Sequence, residues 1–199
     1  GWYMVKSGLV DQPDVSHYRL TAHLGLAVII YIYAFWVALK LVMPTTNTAI
    51  GRPYGLGLVY VKLLFVQILL GGLVAGLNAG LVSDTWPLMM GQLIPDGLFF
   101  NDPWYGNIID NPLTLHFEHR TFAYVVAAIA MLLWWKLRKD RSGAVRLAAT
   151  FVLLTIVLQV CLGVLTILNM VAIPLAAAHQ AGAILALSAG LILLNRMKS

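Results

Sequence analysis

Residues Pro112 to Trp135 read PLTLHFEHRTFAYVVAAIAMLLWW, and this stretch decides between a soluble chain and a membrane-spanning one. Its uninterrupted apolar part, Thr121 to Trp135, covers only about 22 Å at a helical rise of about 1.5 Å per residue. A hydrocarbon core of about 30 Å takes about 20 helical residues. To cross, the helix must draw Glu118, His119 and Arg120 into the edge of the bilayer. Ionisable groups at that depth are costly and rarely face lipid, so they mark a site by default. Asn111 and Pro112 supply an N-cap and a first-turn proline for this helix.

The rest of the chain agrees with a membrane reading. Of 199 residues 60% are hydrophobic and 11% charged, where a soluble domain carries about 25% charged residues; mean hydropathy is +0.84. Five spans are expected, roughly 19–43, 57–82, 112–135, 145–171 and 174–195, with Pro174 opening the last. The fold class is therefore all-α integral membrane. The net charge of +5 sits in short connections and not in a stripe, which points to membrane orientation and away from nucleic acid. Cys161, the single cysteine, leaves no disulfide framework and no thiolate metal site within the chain. No signal peptide is visible, and a start at Gly1-Trp2-Tyr3 without Met is read as a start inside a longer protein.

Basic residues set the expected topology. Lys136, Arg138, Lys139, Arg141 and Arg146 crowd the connection between spans three and four, Arg196 and Lys198 close the chain, and Lys40, Arg52 and Lys62 flank the first connection. By the positive-inside rule these lie on the cytoplasmic or matrix side, with the C-terminus inside. The 83–113 connection carries Asp84, Asp96, Asp102 and Asp110 but no Lys or Arg, and is expected outside. Its length is unusual for a structureless loop. With Trp86, Met89, Met90, Phe99, Phe100, Trp104 and Tyr105, it is expected to form an interfacial lid.

Three histidines, His23, His119 and His179, open descending spans at one shared outer depth. Imidazole is the usual nitrogen ligand for transition metals and heme iron, so convergence on a buried ligand or metal is expected. His119 and His179 share one four-helix unit. Small residues follow each on its own face: Ala123, Ala127 and Ala130 after His119, and Gly182, Ala186 and Gly190 after His179. Two facing imidazoles above small side chains suit a flat macrocycle, although small stripes are also ordinary helix packing. Packing takes most of that weight for the small residues; the histidines read as ligands.

Arg19, four residues before His23, and Arg120, beside His119, have two readings: snorkelling to headgroups, or neutralising ligand carboxylates such as heme propionates. Glu118 either fixes a ring tautomer or pairs with Arg19 or Arg120. His17 and His116 read as interface histidines, with His116 also within reach of a ligand's rim. Gly72, Gly76 and Gly80 form a small-xxx-small packing pattern, and Gln67, Asn78 and Gln159 read as interhelical hydrogen-bond partners. A weak parallel repeat relates Gly1–Val10 and Leu20–Ala27 to Gly163–Val171 and Ala176–Ala183. On that repeat, spans two to five form one unit and span one ends a preceding unit.

Several stretches carry a resemblance: Gly1 to Leu9, Tyr18-Arg19-Leu20-Thr21-Ala22-His23-Leu24, Gly76 to Gly80, Asp84-Thr85-Trp86-Pro87-Leu88-Met89, Phe117-Glu118-His119-Arg120 and Ala178-His179-Gln180. Together the chain resembles the heme A synthase family, membrane proteins that convert heme O to heme A for terminal oxidases. The Thr-Trp-Pro-Leu-Met loop and the Glu-His-Arg helix entry are its most specific parts. The resemblance implies two four-helix halves. Residues 1–45 would be the tail of the first, including its last helix, and 57–196 the complete second, with outer loop 83–113.

His119 and His179 would then hold a b-type heme as axial ligands to its iron, with Arg120 beside it. His23 would match a ligand of the substrate heme iron in the first-half pocket, with Arg19 nearby. That pocket's second histidine and its carboxylate would lie upstream, so this fragment alone is expected to be inactive. The cysteine pairs of some members are absent, which resembles the cysteine-poor branch. The implied chemistry is oxidation of a porphyrin methyl to a formyl through hydroxylated intermediates; no residue here is identified as catalytic. Implied partners are heme O, the N-terminal half, heme O synthase or oxidase assembly factors, and membrane lipid. The implied location is a bacterial plasma membrane or mitochondrial inner membrane. The competing readings are a b-type electron-transfer cytochrome without substrate chemistry, which leaves His23 unexplained, and a transporter, whose polar groups would cluster at the midplane.

Overall fold

The computed structural model describes residues 16–43 and 52–198. The first copy of the proposed repeat, Gly1–Val10, and the resembling stretch Gly1 to Leu9 lie outside them. Among the described residues the fold is all-helical, with five long helices: α1 His17–Val42, α2 Tyr54–Gly76, α3 Pro112–Leu137, α4 Gly143–Leu168 and α5 Ile173–Met197. All five are long and apolar enough to cross a membrane, and the protein is an integral membrane protein by that pattern and its lipid-like exterior. Tyr33, Leu41 and Leu147 stand more than 70% exposed on helix faces, which a bilayer covers and water would not.

Helices α2 to α5 close a ring. α2 packs on α3, α3 on α4, α4 on α5, and α5 back on α2, while α1 lies against α2 and α5. This order sets α3 opposite α5 and α2 opposite α4. The interior is filled by Tyr60, Leu64, Val126, Leu133, Ala149, Val152 and Leu187, all nearly or fully buried. The expected small stripes are absorbed by this packing: Ala130 and Ala186 are fully buried, and Gly190 is where the Tyr60 ring and Val61 press in.

Helix ends explain the departures from the expected spans. The second span stops at Gly76 and not near 82, because Asn78 takes a left-handed φ of 52° and a short 3-10 turn, Ala79–Leu81, follows. The fourth stops at Leu168, since Met170 and Val171 both have positive φ (49° and 56°). A Cβ on Gly80 would lie 3.0 Å from Val171 Cγ2, so these two turns are packed together. α3 begins as its sequence indicates: Asn111 Oδ1 accepts from the N–H groups of Leu113 (2.9 Å) and Thr114 (3.3 Å), with Pro112 first in the helix. Pro174 does lie in the first turn of α5, but its N-cap, Ala172, offers no side-chain acceptor.

At the basic end, Arg52 grips Asp140 through two bonds, Nε to Oδ2 at 3.1 Å and Nη2 to Oδ1 at 3.2 Å. Its Nη1 reaches the carbonyls of Arg196 and Met197, both at 3.4 Å. One guanidinium thus joins the starts and ends of α2, α3 and α5. Burial tends to raise the Asp140 carboxyl's pKa. The Arg52 hydrogen bonds, the Ser142 N–H and the charges of Arg52 and Arg146 outweigh it, holding Asp140 below the usual carboxylate value.

Candidate functional site

His119 on α3 and His179 on α5 meet across the ring of helices. Their ring centres are 6.4 Å apart and their planes lie at 84°. The site is assembled by the helices between them. On α2, Gln67 Nε2 donates to the His119 carbonyl at 3.0 Å and sits 3.1 Å from Nδ1 of its ring. A Cβ on Gly71, one turn further along α2, would lie 3.2 Å from His119 Cε1.

On α4 the arrangement returns. The Gln159 amide, oriented to satisfy both neighbours, donates to the His179 carbonyl at 2.9 Å and accepts from Ala183 N–H at 3.3 Å. A Cβ on Gly163 would lie 3.2 Å from His179 Cε1.

The remaining candidates divide. His116, three residues before His119, is 2% exposed, with Nδ1 buried and without a partner. It is a core residue at this end, not the solvated interface histidine its position indicated. His23 is on an exposed face of α1. His17 Nε2 lies 3.1 Å from Asp110 Oδ1, and the Tyr18 hydroxyl donates to the same carboxylate. These contacts tie the start of α1 to the turn before α3. Among the described residues no three His, Cys, Asp or Glu side chains gather into a metal set.

The 77–111 connection is ordered. Met89 and Gln92 exchange both backbone hydrogen bonds (2.8 and 3.0 Å) across a turn with positive φ at Met90 and Gly91. Asn107 and Asn111 form its hub. Asn107 Oδ1 accepts from Asn101 N–H and from Asn111 Nδ2, both at 2.9 Å, and its own Nδ2 donates to the carbonyls of Asn101 and Trp104. Arg120 reaches this loop, with Nη1 donating to Thr85 O at 3.1 Å and Nη2 to Pro87 O at 2.9 Å. The residue after His119 therefore pins the Thr-Trp-Pro-Leu turn over the histidine end. Phe99, Phe100, Trp104 and Tyr105 are all more than 60% exposed, as interfacial aromatics would be.

Gly71 and Gly163 were not singled out by composition or motif. The signal was present as a short internal repeat, Gln67-Ile68-Leu69-Leu70-Gly71 against Gln159-Val160-Cys161-Leu162-Gly163. Apolar letters at those positions are common in any membrane helix, which hides it.

Comparison with known proteins adds to this geometry. Residues 1–191 match the model of the COX15-CtaA family, described as cytochrome oxidase assembly protein. A protein of Nitrosospira multiformis named heme A synthase is 48% identical over 196 residues, which are 96% of this chain and 55% of that protein. Heme A synthases of Nitrosomonas eutropha and Parvibaculum lavamentivorans are 44% and 42% identical over 96% and 92% of the chain, and 55% and 52% of their own length. The chain thus spans about half the length of the curated relatives it matches. No solved structure matches it.

Proposed function

Because the chain belongs to the COX15-CtaA family of cytochrome oxidase assembly proteins, we propose that it is the heme-holding part of a heme A synthase. On this reading the protein oxidises the methyl group of heme O to a formyl, and residues 57–196 form its second four-helix half. His119 and His179 would hold a b-type heme through their imidazole nitrogens. Residues 1–45 belong to the first half, where His23 and Arg19 face the substrate heme, and the fragment alone is inactive. Heme O, an N-terminal half, heme O synthase or oxidase assembly factors and membrane lipid are its partners. The histidine end faces outward and the C-terminus inward, in a bacterial plasma membrane or a mitochondrial inner membrane, as the positive-inside rule requires.

The observation that carries this reading is the spacing of the two rings. An imidazole nitrogen sits about 2.0–2.1 Å from a transition metal, and the ring centre is about 1.1 Å beyond it. Two imidazoles that held one metal between them would have ring centres about 6.3 Å apart, against 6.4 Å between His119 and His179. The buried, unpartnered Gln67 Oε1 and His116 Nδ1 supply further polar atoms at a site meant for something besides hydrocarbon.

Such a heme, when bound, supplies one-electron relay away from the substrate. The chain's own residues bind and shield it. α3 and α5 present the imidazoles, Gln67 and Gln159 satisfy polar groups at membrane depth, and the Arg120-pinned loop closes the end of the bundle over the pair. On this reading Arg120, which donates to Thr85 O and Pro87 O, would also meet a propionate. The second reading, a b-type cytochrome without substrate chemistry, shares the histidine pair and differs only in what His23 does.

The test is the optical and spin-state spectrum of the heme-loaded chain in membranes. His119→Ala and His179→Ala should each abolish the low-spin signal or convert it to high spin. Unchanged heme content and spin state in both variants would overturn the proposal.

A further inference from the structure

At the basic end of the bundle two lysines share one aromatic ring. Lys40, in the last turn of α1, and Lys198, at the C-cap of α5, hold their ammonium nitrogens 6.0 and 5.8 Å from the centre of the Trp36 ring. Lys198 also stands 4.8 Å from the centre of the Tyr54 ring. The two helix ends are fastened together, since Asn195 Nδ2 donates to Met43 O at 3.1 Å. Like charges drawn to one spot repel, and the faces of the rings offset that only in part. Among the described residues no carboxylate pairs with either lysine. Acid is scarce here: within 36–62, 134–146 and 195–198 the sequence holds only Asp140, and Arg52 meets both of its oxygens.

A groove continues from this cluster along the seam between α1 and α2. Its volume is about 450 Å³, and Ile29, Ile32, Val61, Lys62, Phe65 and Val66 line it. Ile29 and Val66 are exposed, so the seam opens toward lipid. Ile29, Ile32, Trp36 and Lys40 follow one another at spacings of three and four residues and share one face of α1. Tyr54, Val61 and Phe65 share a face of α2 in the same way. Lys62 is the exception in an apolar wall. It is exposed, and it lies about 12 Å along α2 from Tyr54 at the helical rise. A lysine at that depth is costly against hydrocarbon, and its four-carbon stem lets the ammonium reach back toward the basic end. Among the described residues no carboxylate pairs with it either.

We infer that this seam binds an anionic phospholipid from the leaflet at the basic end. Lys40 and Lys198 take the headgroup phosphate beside Trp36 and Tyr54, Lys62 adds a third cation from above, and an acyl chain lies in the groove. Charge and shape set the occupant together. Three ammonium groups without carboxylates call for a headgroup of net negative charge, and a choline headgroup would add a fourth cation among them. The groove is open and apolar along its length, which suits a single hydrocarbon chain. Trp and Tyr rings at the end of a span sit at headgroup depth, so phosphate and lysines meet at one level. Bound there, the lipid joins α1 to α2 and α5 and strengthens the hold of α1 on the ring. The site lies at the end opposite the histidine pair and is independent of the heme reading.

The experiment places the full chain in phosphatidylcholine vesicles with a trace of spin-labelled phosphatidylglycerol or spin-labelled phosphatidylcholine. EPR reads the motionally restricted fraction of each label. Wild type should hold phosphatidylglycerol several-fold more than phosphatidylcholine. Lys40→Gln combined with Lys198→Gln should bring that ratio close to one, and Lys62→Gln should lower it part of the way. Lys139→Gln, at an exposed lysine of the α3–α4 connection, should leave it unchanged. Val66→Trp, which fills the groove without altering charge, should lower the ratio, and added inorganic phosphate should not. A wild-type ratio near one, or a wild-type ratio in the paired lysine variant or in Val66→Trp, overturns the inference. If the paired variant fails to accumulate, Lys62→Gln decides, and an unchanged ratio there overturns it. An equal fall in Lys139→Gln overturns it as well, by showing general surface charge at work. Displacement by inorganic phosphate would assign the lysines to a free anion, and a dimer that Val66→Trp dissociates would assign the groove to a second copy of the chain; either overturns it.

Discussion

Gly71 and Gly163 hold equivalent places on opposite helices, each under the Cε1 edge of a histidine ring, with a hypothetical Cβ 3.2 Å from that atom in both cases. The equivalence relates the α2–α3 hairpin to the α4–α5 hairpin. It sets the two imidazoles against one another from opposite sides of the bundle.

Alanine at either position should therefore disturb the pair. A contact of 3.2 Å asks the ring to yield by a few tenths of an ångström, and close-packed interiors transmit such shifts to the neighbouring group. Gly71→Ala and Gly163→Ala are expected to lower heme retention and broaden the low-spin EPR signal. Gly72→Ala is the control, because its added methyl meets Leu24 and Thr21 of α1 instead. Heme content and spectra in Gly163→Ala identical to those of Gly72→Ala would count against the arrangement.

Asp140 should give the basic end an acid-sensitive limb. Its folded carboxyl is held below the ordinary value through Arg52, and in the unfolded chain it returns to about 3.9. A depressed carboxylate contributes stability that is fully present above its unfolded value and is lost as pH falls through the folded one. Thermal unfolding in detergent from pH 7 down to about pH 3 checks this. Asp140→Asn should be less stable at pH 7 by about 1.5–3 kcal/mol, the range for hydrogen bonds to charged groups, and should show a flatter acid limb. A limb as steep as wild type would place the titration elsewhere.

Much of this architecture was legible in the chain. Hydropathy runs gave five spans because a bilayer demands about 20 apolar residues and tolerates few charges, and Asn111-Pro112 marked the start of α3 correctly. The end of α2 was not legible, since apolar residues continue to Val82 and only the left-handed Asn78 stops the helix. His119 and His179 stood out through their cost in lipid. The burial of His116 and the loop-gripping role of Arg120 did not, because both depend on how the 77–111 connection folds back. A connection of polar and turn-forming residues carries no periodicity from which such a path is read.

Asn111 is the joint between that connection and α3. Its Oδ1 caps the helix, while its Nδ2 donates to Gly97 O and Leu98 O at 3.3 Å and to Asn107 Oδ1 at 2.9 Å. Asn111→Ala should cost about 1–2 kcal/mol from the cap alone. Asn111→Asp keeps the acceptor but removes the donors and sets a carboxylate against Asn107 Oδ1. It should spare the helix yet speed proteolysis within 97–107. Equal cleavage rates in wild type and Asn111→Asp would show the hub to be dispensable for the loop.

The last prediction separates Arg120 from Arg19. Arg120 donates to Thr85 O and Pro87 O, and Leu88 O lies 3.5 Å from its Nη2. Only a planar fork spans that set of acceptors. Arg120→Ala should accelerate amide exchange at Met90 and Gln92, whose turn it steadies. If the same guanidinium meets a propionate when heme is bound, retention should also weaken by about 1.5–3 kcal/mol. Arg120→Lys should recover charge but not geometry, restoring retention in part and the slow exchange hardly at all. Arg19 lies on α1, outside the ring that brings His119 and His179 together, so Arg19→Ala should leave both readouts near wild type. Wild-type exchange and heme retention in Arg120→Ala would detach this residue from loop and cofactor alike.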